Sequence, residues 1–387
     1  MLAKMGRYVV ILWVWFLAGM HGMAEEAAPQ APGIVIAHSP ASSGRFIGSP
    51  SLAILPNGDY VAAHDFFGPA SGEGSQGSSV VFSSSDKGKT WTKLADVAPM
   101  FWGKLFVHHG RLYFLGTRRR FGDVLIRRSD DGGRTWSEPA TAQTGVLLRG
   151  LYHCAPCRIL VHGGRIWRSI EEKGDKKHGM AALVMSAPVE ADLLDAKNWT
   201  FSQPLALEQA YHWSEGNLIL DPAQNIVNLM RTGKGGSDKA AIVRVRADGK
   251  ELSYDPARDF IDMPGGGSKF TVRYDPQTAR YWAIANQQAN PKAFRNHLVL
   301  TSSADLRHWQ VETSLLFHPD AKAHAWQYID WEIEGDDIVF VSRTAFADAT
   351  GGARDAHDAN HLTFHRVPNF RTRREPCSPP TGQALPD

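Results

Sequence analysis

Cysteine is scarce in this 387-residue chain. There are three: Cys154 and Cys157 in CAPC, and Cys377 near the end. Two neighbouring thiols cannot complete a tetrahedral zinc site, and no second pair exists to help them. The strand–CxxC–helix context of a redox motif is missing too. The expectation is a disulfide, either between Cys154 and Cys157 or from one of them to Cys377. No metal and no cofactor are expected. An excess of charge of one sign is also lacking, with 42 basic against 40 acidic residues and a net charge of +2. Apart from Arg118-Arg119-Arg120 no basic block is concentrated, so nucleic acid is excluded as the expected partner.

Long apolar runs are absent beyond residue 20, which excludes a membrane segment in the body of the chain. The one run present, YVVILWVWFLAGM (8–20), follows Lys4 and Arg7 and precedes the small-x-small pattern Gly22-Met23-Ala24. It has the length of a signal-peptide core and is short for a bilayer span. Residues 1–24 therefore read as a signal peptide, and the protein as exported, periplasmic or secreted. No Cys follows the run to carry a lipid. Helix-type periodicity is scarce as well. Instead there are 36 Gly, 12 Trp and many short apolar runs bounded by turn residues, the composition of strands and tight turns.

The stretch RRSDDGGRTWSEP (127–139) packs two acids and two glycines together. Its acids are adjacent rather than alternating, so it is no helix-loop-helix calcium loop. No Lys-Ser/Thr and helix follow, so it is no phosphate loop. It is a repeat. SSDKGKTW (84–91) and SDDGGRTW (129–136) share Ser-x-Asp-x-Gly-x-Thr-Trp, with Trp91 and Trp136 45 positions apart. Weaker copies stand at 186–199 and at SADLRHW (303–309). In physical terms each copy is a hairpin turn. The Asp accepts backbone N–H groups, the Gly supplies positive φ, and the Trp packs between sheets. Ser84, Asp86, Gly88, Trp91, Ser129, Asp131, Gly133 and Trp136 are thus assigned to structure rather than catalysis.

Ahead of each copy lies a pair of alternating runs around a polar turn: PSLAILPNGDYVAAHDF (50–66), KLFVHHGRLYFLGT (104–117), RILVHGGRIWRSIEE (158–172), GNLILDPAQNIVNLMRT (216–232) and KFTVRYDPQTARYWAIANQ (269–287). A sixth pair, YIDWEIEGDDIVFVSRTAF (328–346), is followed by HLTFHRV (361–367) and nothing more. GIVIAH (33–38) has no partner at the front. These counts predict an all-β fold, a six-bladed β-propeller of four-stranded antiparallel blades over residues 33–370. Residues 33–38 would close the last blade and remove a free edge. Residues 371–387 are expected to be a loosely ordered tail, and the protein a monomer.

That geometry directs the search for chemistry to the rim opposite the Asp-bearing turns, where the ends of second strands and starts of first strands meet. Polar candidates there are His64, Asp65, His153, His212, Glu215, Arg231, Tyr328, Asp330, Arg343, His357 and Asn360, the last two in an HDANH loop.

The repeat resembles the Asp-box of the bacterial neuraminidase (sialidase) superfamily. That resemblance implies three arginines clamping a sugar carboxylate, a Tyr–Glu nucleophile pair and an aspartic acid/base. SEGNLILDPAQNIVNLMR resembles the family's Glu-then-Arg blade, pointing to Glu215 and Arg231. Arg343 stands where a further clamp arginine would, and Tyr328 where the nucleophile would. Asp65 is the acid/base by position. His64 and His357 are further catalytic candidates. His153, His212, Asp330 and Asn360 are substrate-binding candidates beside Arg231 and Arg343. One element departs from the pattern: FIGSPSL carries Gly48 where the family's first arginine belongs, and Arg45 is out of register. Losing one charged hydrogen bond costs roughly 1.5–3 kcal/mol.

The expectation is an exported, sialidase-like glycoside hydrolase that removes a terminal anionic sugar from a glycan. Two alternatives are a propeller lyase or hydrolase acting on uronate-containing polysaccharide, which the histidines would serve as acids and bases, and a non-catalytic glycan-binding propeller.

Overall fold

The computed structural model describes residues 30–174, 179–206, 213–232, 238–288 and 295–373. Residues 1–24, expected to be a signal peptide, lie outside this set, as do His212, Cys377 and residues 374–387. Among the described residues the fold is all-β, a β-propeller arrangement with two 3₁₀ turns and one four-residue helix.

Four sheets each hold one group of consecutive strands. The first contains Phe46–Ile47, Ser51–Ile54, Tyr60–Phe67, Ser79–Ser84 and Thr92–Val97. Another contains Trp213–Leu220, Ile226–Thr232, Lys239–Val245, Leu252–Ser253 and Phe260–Asp262. A third contains Thr271–Asp275, Arg280–Asn286, His297–Ser303 and Trp309–Phe317. The last contains Ala325–Glu334, Asp337–Ala345 and His361–Val367, with Ile34–His38 paired antiparallel on its outer edge.

The expectation of six separate four-stranded sheets needs correction. The second and third groups are joined into one eight-stranded sheet, so the hydrogen-bonded sheets number five. The join is local. Val146–His153 pairs with Gly122–Ser129 from Val146 opposite Leu125 to Tyr152 opposite Gly122, while on its other side Tyr152 pairs with Glu172 and His153 with Glu171. One strand thereby serves two strand groups.

The core sits between neighbouring groups. Leu52 and Tyr60 pack on Val341 and Phe364; Val81 and Val97 on Leu105 and Phe114; Ile126 and Leu147 on Ile170 and Met185. Further round, Trp167 packs on Leu218 and Ile226, Leu229 and Ile242 on Phe270 and Ala283, and Trp282 and Leu300 on Trp331 and Phe340. A fully buried large apolar side chain contributes about 1.5–3 kcal/mol, so these contacts hold the groups to one another. Polar bonds stitch the innermost strands: Ser51 Oγ accepts from Leu105 N at 2.9 Å, Trp331 Nε1 donates to the Thr271 carbonyl at 2.9 Å, and Asn217 Nδ2 donates to the Phe270 carbonyl at 3.2 Å.

The repeated turns make one bond set twice. Ser84 Oγ donates to Asp86 Oδ1 at 2.7 Å and accepts from Gly88 N at 2.9 Å; Ser129 Oγ does the same for Asp131 and Gly133, both at 2.8 Å. Each Asp takes the N–H and hydroxyl of the following Thr, and each Trp indole donates to the Gly carbonyl at 3.0 Å. Gly88 and Gly133 hold φ of 88° and 101°, where a side chain would be strained. The Asp131 turn shares a groove with the Pro56–Asp59 hairpin, away from the functional candidates.

Cys154 and Cys157 are not joined. Both are buried free thiols, one facing the Trp102 carbonyl and the other the Glu215 carbonyl. Burial pushes them up to about 12 and about 11, so they stay protonated. At the other end, Phe370 is buried and Arg371 binds Asp275 and Asp336, which fastens the chain as far as residue 371.

Candidate active site

Three residues at the starts of first strands share one backbone device. Trp102, Glu215 and Tyr328 have φ of 52°, 58° and 56°. Each lies where the register with the second strand slips: between Phe101 and Lys104, between Ser214 and Asn217, and between Gln327 and Asp330. A bulge with a non-glycine residue in the left-handed region re-aims one side chain out of the pleat, at a cost of order 1–3 kcal/mol that packing must offset. Here it turns an indole, a carboxylate and a phenol out of the pleat.

Glu215 is buried, and its Oε2 accepts from Arg231 Nη1 at 2.9 Å. Burial pushes its carboxyl up, but Arg231, His153 and Lys269 outweigh that and hold it below the ordinary range. Arg231 is further fixed by Nε donating to the Gly267 carbonyl at 2.9 Å. The Tyr328 phenol lies within side-chain hydrogen-bonding reach of Arg231 and Arg295. Arg343 and Arg295 lie 4.8 and 5.8 Å from the centre of the Tyr328 ring. Arg343 also stacks on Phe67 at 4.2 Å and donates from Nε and Nη2 to the His357 carbonyl. Burial lowers Arg343 to about 10, still fully charged at neutral pH.

Three guanidiniums and one phenol therefore converge with Glu215. Two details differ from the expectation. The carboxylate of Glu215 bonds Arg231 rather than Tyr328, so it bears on the phenol by positioning that arginine. And one of the three cations, Arg295, is a residue the strand-end search passed over. It sits in the loop leading to His297–Ser303 rather than at a strand end.

The other candidates separate into those near this cluster and those outside it. His153 Nδ1 meets Glu171 Oε2 at 2.6 Å, and Glu171 Oε1 accepts from Gly216 N at 3.2 Å, next to Glu215. The His153 ring packs edge-on against Trp102 at 4.3 Å. His357 lies against Phe67 at 5.2 Å, and its Nδ1 meets Asp358 Oδ1 at 2.6 Å. Burial and the cations Arg343, Arg295 and Arg231 depress its pKa to about 2, so it is neutral and a poor base.

Asp65 is buried with both oxygens engaged: Oδ1 accepts from Ser49 N at 2.7 Å and Oδ2 from Trp102 N at 2.6 Å. Burial raises it to about 6 against those bonds and Arg343. It locks the Trp102 bulge to the first sheet and is closed to a substrate. His64 points the other way from its neighbour, into Phe82 and Phe66 at 5.9 and 4.8 Å, with Nδ1 on the Asp65 carbonyl.

Asp330 is not at the mouth. It lies fully buried between neighbouring sheets, taking Lys104 Nζ at 2.5 Å, Leu52 N at 2.8 Å and Ser51 Oγ at 3.2 Å. Alternation explains this: two residues past the Tyr328 bulge the chain is back in the pleat. Asn360 is also fully buried. It donates to the Phe346 carbonyl and to Asp348 Oδ2, and accepts from Phe346 N, clamping the loop after Asp337–Ala345. His212 lies outside the described residues.

No protein-family model matches the chain, and no curated protein does. Solved structures do match. A Hadza microbial sialidase aligns with a TM-score of 0.63 and 15% identity over 88% of this chain and 69% of its own. An α-L-arabinanase of Penicillium chrysogenum aligns with a TM-score of 0.54 and 16% identity over 88% and 99%. A Dyadobacter fermentans protein of unknown function aligns with a TM-score of 0.58 and 14% identity over 89% and 99%. At such identities the likeness shows the fold, a β-propeller.

Proposed function

We propose that this chain is a six-bladed β-propeller glycoside hydrolase acting on a terminal anionic sugar. The six-blade count rests on six inter-group cores, with the eight-stranded sheet read as two blades sharing Val146–His153. The observation that carries the functional reading is Tyr328, turned out of the pleat on a left-handed bulge and surrounded by Arg231, Arg295 and Arg343, with Glu215 behind Arg231. A tyrosine so placed is suited to attack an anomeric carbon while the guanidiniums hold an anionic substituent and balance developing charge. Glu215 fixes Arg231, whose guanidinium lies within reach of the phenol. Asp65 is a positioning residue for Trp102. Two of the solved structures with this fold are a sialidase and an arabinanase, which supports a glycan substrate.

A second reading, action on a uronate-containing polysaccharide, draws on the His153–Glu171 pair next to Glu215, a histidine oriented by a carboxylate as general bases are. One experiment separates the readings. The purified protein is incubated with an aryl sialoside and with a uronate-rich polysaccharide, following aryl release and the absorbance of an unsaturated uronate. Aryl release that falls roughly a thousandfold or more in Tyr328→Phe is the expected result. Uronate absorbance lost in His153→Ala would shift the assignment to the second reading. Binding to either glycan without turnover would make the propeller a binding module.

A further inference from the structure

Away from the arginine cluster, the edge where the N-terminal strand joins the last sheet carries two histidines side by side. His38 and His361 are directly paired residues of the antiparallel strands Ile34–His38 and His361–Val367. Paired residues have Cβ atoms about 4.5–5.5 Å apart, and the two ring centres stand 4.8 Å apart. Asp348, from the loop after Asp337–Ala345, completes the group. One ring nitrogen of each histidine and a carboxylate oxygen of Asp348 all lie within 4.8 Å of one another.

We propose that His38, Asp348 and His361 bind a divalent transition-metal ion, zinc by chemical class, that staples the N-terminal strand to the last sheet. Three observations support it. First, the buried His361, 6% exposed, leaves Nδ1 without a hydrogen-bond partner. A buried imidazole nitrogen with no partner costs about 1–3 kcal/mol unless something meets it. Second, the Asp348 carboxylate is oriented before any ion arrives. Oδ1 accepts from Thr350 N at 2.7 Å, Thr350 Oγ1 at 2.8 Å and Gly352 N at 2.9 Å, and Oδ2 from Asn360 Nδ2 at 2.7 Å. Such outer bonds tune and fix a metal-binding carboxylate. Third, His38 is 35% exposed in its side chain, which gives the ion an entry path and leaves a fourth position for water.

The donor set selects the ion. Two imidazoles with one carboxylate suit zinc and its neighbours in the first transition row; calcium and magnesium require more oxygens. Zinc bonds of about 2.0–2.1 Å put tetrahedral ligand atoms about 3.3 Å apart. The wider pairs must therefore close, and the 2.8 Å contact of His38 Nε2 with Asp348 Oδ2 must open slightly. A second group of candidate ligands, Asp355, His357 and Asp358, is less suitable. Arg354 already bonds Asp358, and Arg343, Arg295 and Arg231 all bear on His357, so a cation is repelled there.

The test uses the full chain stripped with chelator and freed of any affinity tag. Zinc chloride is titrated by calorimetry, and the melting temperature is read with and without zinc. The expected result is one zinc per chain and a melting temperature that climbs with zinc concentration, since an ion that binds only the folded state stabilises it by mass action. His38→Gln, at the exposed ligand, and Asp348→Asn should each weaken the affinity at least tenfold, while Asp355→Asn should not. Circular dichroism establishes that each variant is folded. No zinc uptake by the folded wild type overturns the proposal. So does uptake unchanged in both His38→Gln and Asp348→Asn, or lost only in Asp355→Asn.

Discussion

Gly48 shows how one residue governs another. A Cβ at this position would stand 1.5 Å from Asp65 Oδ1 and 2.8 Å from the Asp65 carbonyl. The space a side chain at this position would enter is therefore filled by Asp65, whose Oδ1 takes the N–H of Ser49. The substitution and the buried aspartate are two halves of one local arrangement, and Arg343, on the far side of the Tyr328 ring, supplies a cation from a different sheet. Gly48→Ala is expected to destabilise the protein by about 1–3 kcal/mol, measured as the denaturation midpoint in urea. In an Asp65→Ala background the same change should cost less. An equal cost in both backgrounds would show that the carboxylate is not what Gly48 makes room for.

At the scale of elements, the left-handed bulges of Trp102, Glu215 and Tyr328 turn those side chains out of the pleat, and residues after them return to it and meet across neighbouring sheets. Lys104 and Asp330 are the clearest result: an ion pair at 2.5 Å, with both side chains almost wholly buried. Burial raises the Asp330 carboxyl, yet Lys104, Lys269 and Arg273 prevail and keep it ionised. Breaking a buried pair is costlier than never having it, because the survivor keeps an uncompensated charge. Asp330→Ala should therefore cost about 3–5 kcal/mol, and the double replacement Lys104→Met with Asp330→Leu clearly less than the sum of its single changes. The comparison is a double-mutant cycle by chemical denaturation, and strict additivity would rule out the coupling.

Over the whole molecule, several histidines are sealed into apolar surroundings. Burial lowers His64 to about 4, and His365, stacked on Phe340 at 4.6 Å, to about 3. As pH falls through 6.5 the unfolded chain takes up these protons and the folded protein does not, so stability is lost between pH 6.5 and about 4. Asp65, raised by burial to about 6, acts in the opposite sense, losing stability as pH rises from about 4 to 6. The histidine contribution is isolated by comparison with His64→Phe, whose ring suits the contacts with Phe66 and Phe82. From pH 6.5 down to pH 4 the wild type should lose stability relative to this variant by roughly 1.4 kcal/mol per pH unit. Parallel denaturation profiles across that window would refute the assignment.

The strands and the repeated turns were legible because they are local. Period-two alternation, Gly at positive φ and Ser-x-Asp-x-Gly-x-Thr-Trp each act over fewer than ten residues, and the matching bond sets around Asp86 and Asp131 follow from that spacing. Glu215, Arg231, Tyr328 and Arg343 could be named for the same reason, each standing at a readable position on a strand. Other features had no such signal. That Asp65 is closed by two N–H groups, that Asp330 turns to Lys104, that Asn360 clamps its own loop and that Arg295 reaches Tyr328 depend on residues tens to hundreds of positions away. The strand pairing that brings His38 beside His361 was legible, since residues 33–38 were expected to close the last blade; the residue-by-residue register was not. Sequence by itself determined the elements and the broad set of chemical groups at one rim, because backbone propensity and turn chemistry are short-range. The tertiary structure alone decided which of those groups gather around Tyr328, which are spent on structure and which pair across neighbouring sheets, because burial and charge pairing depend on neighbours distant in the chain.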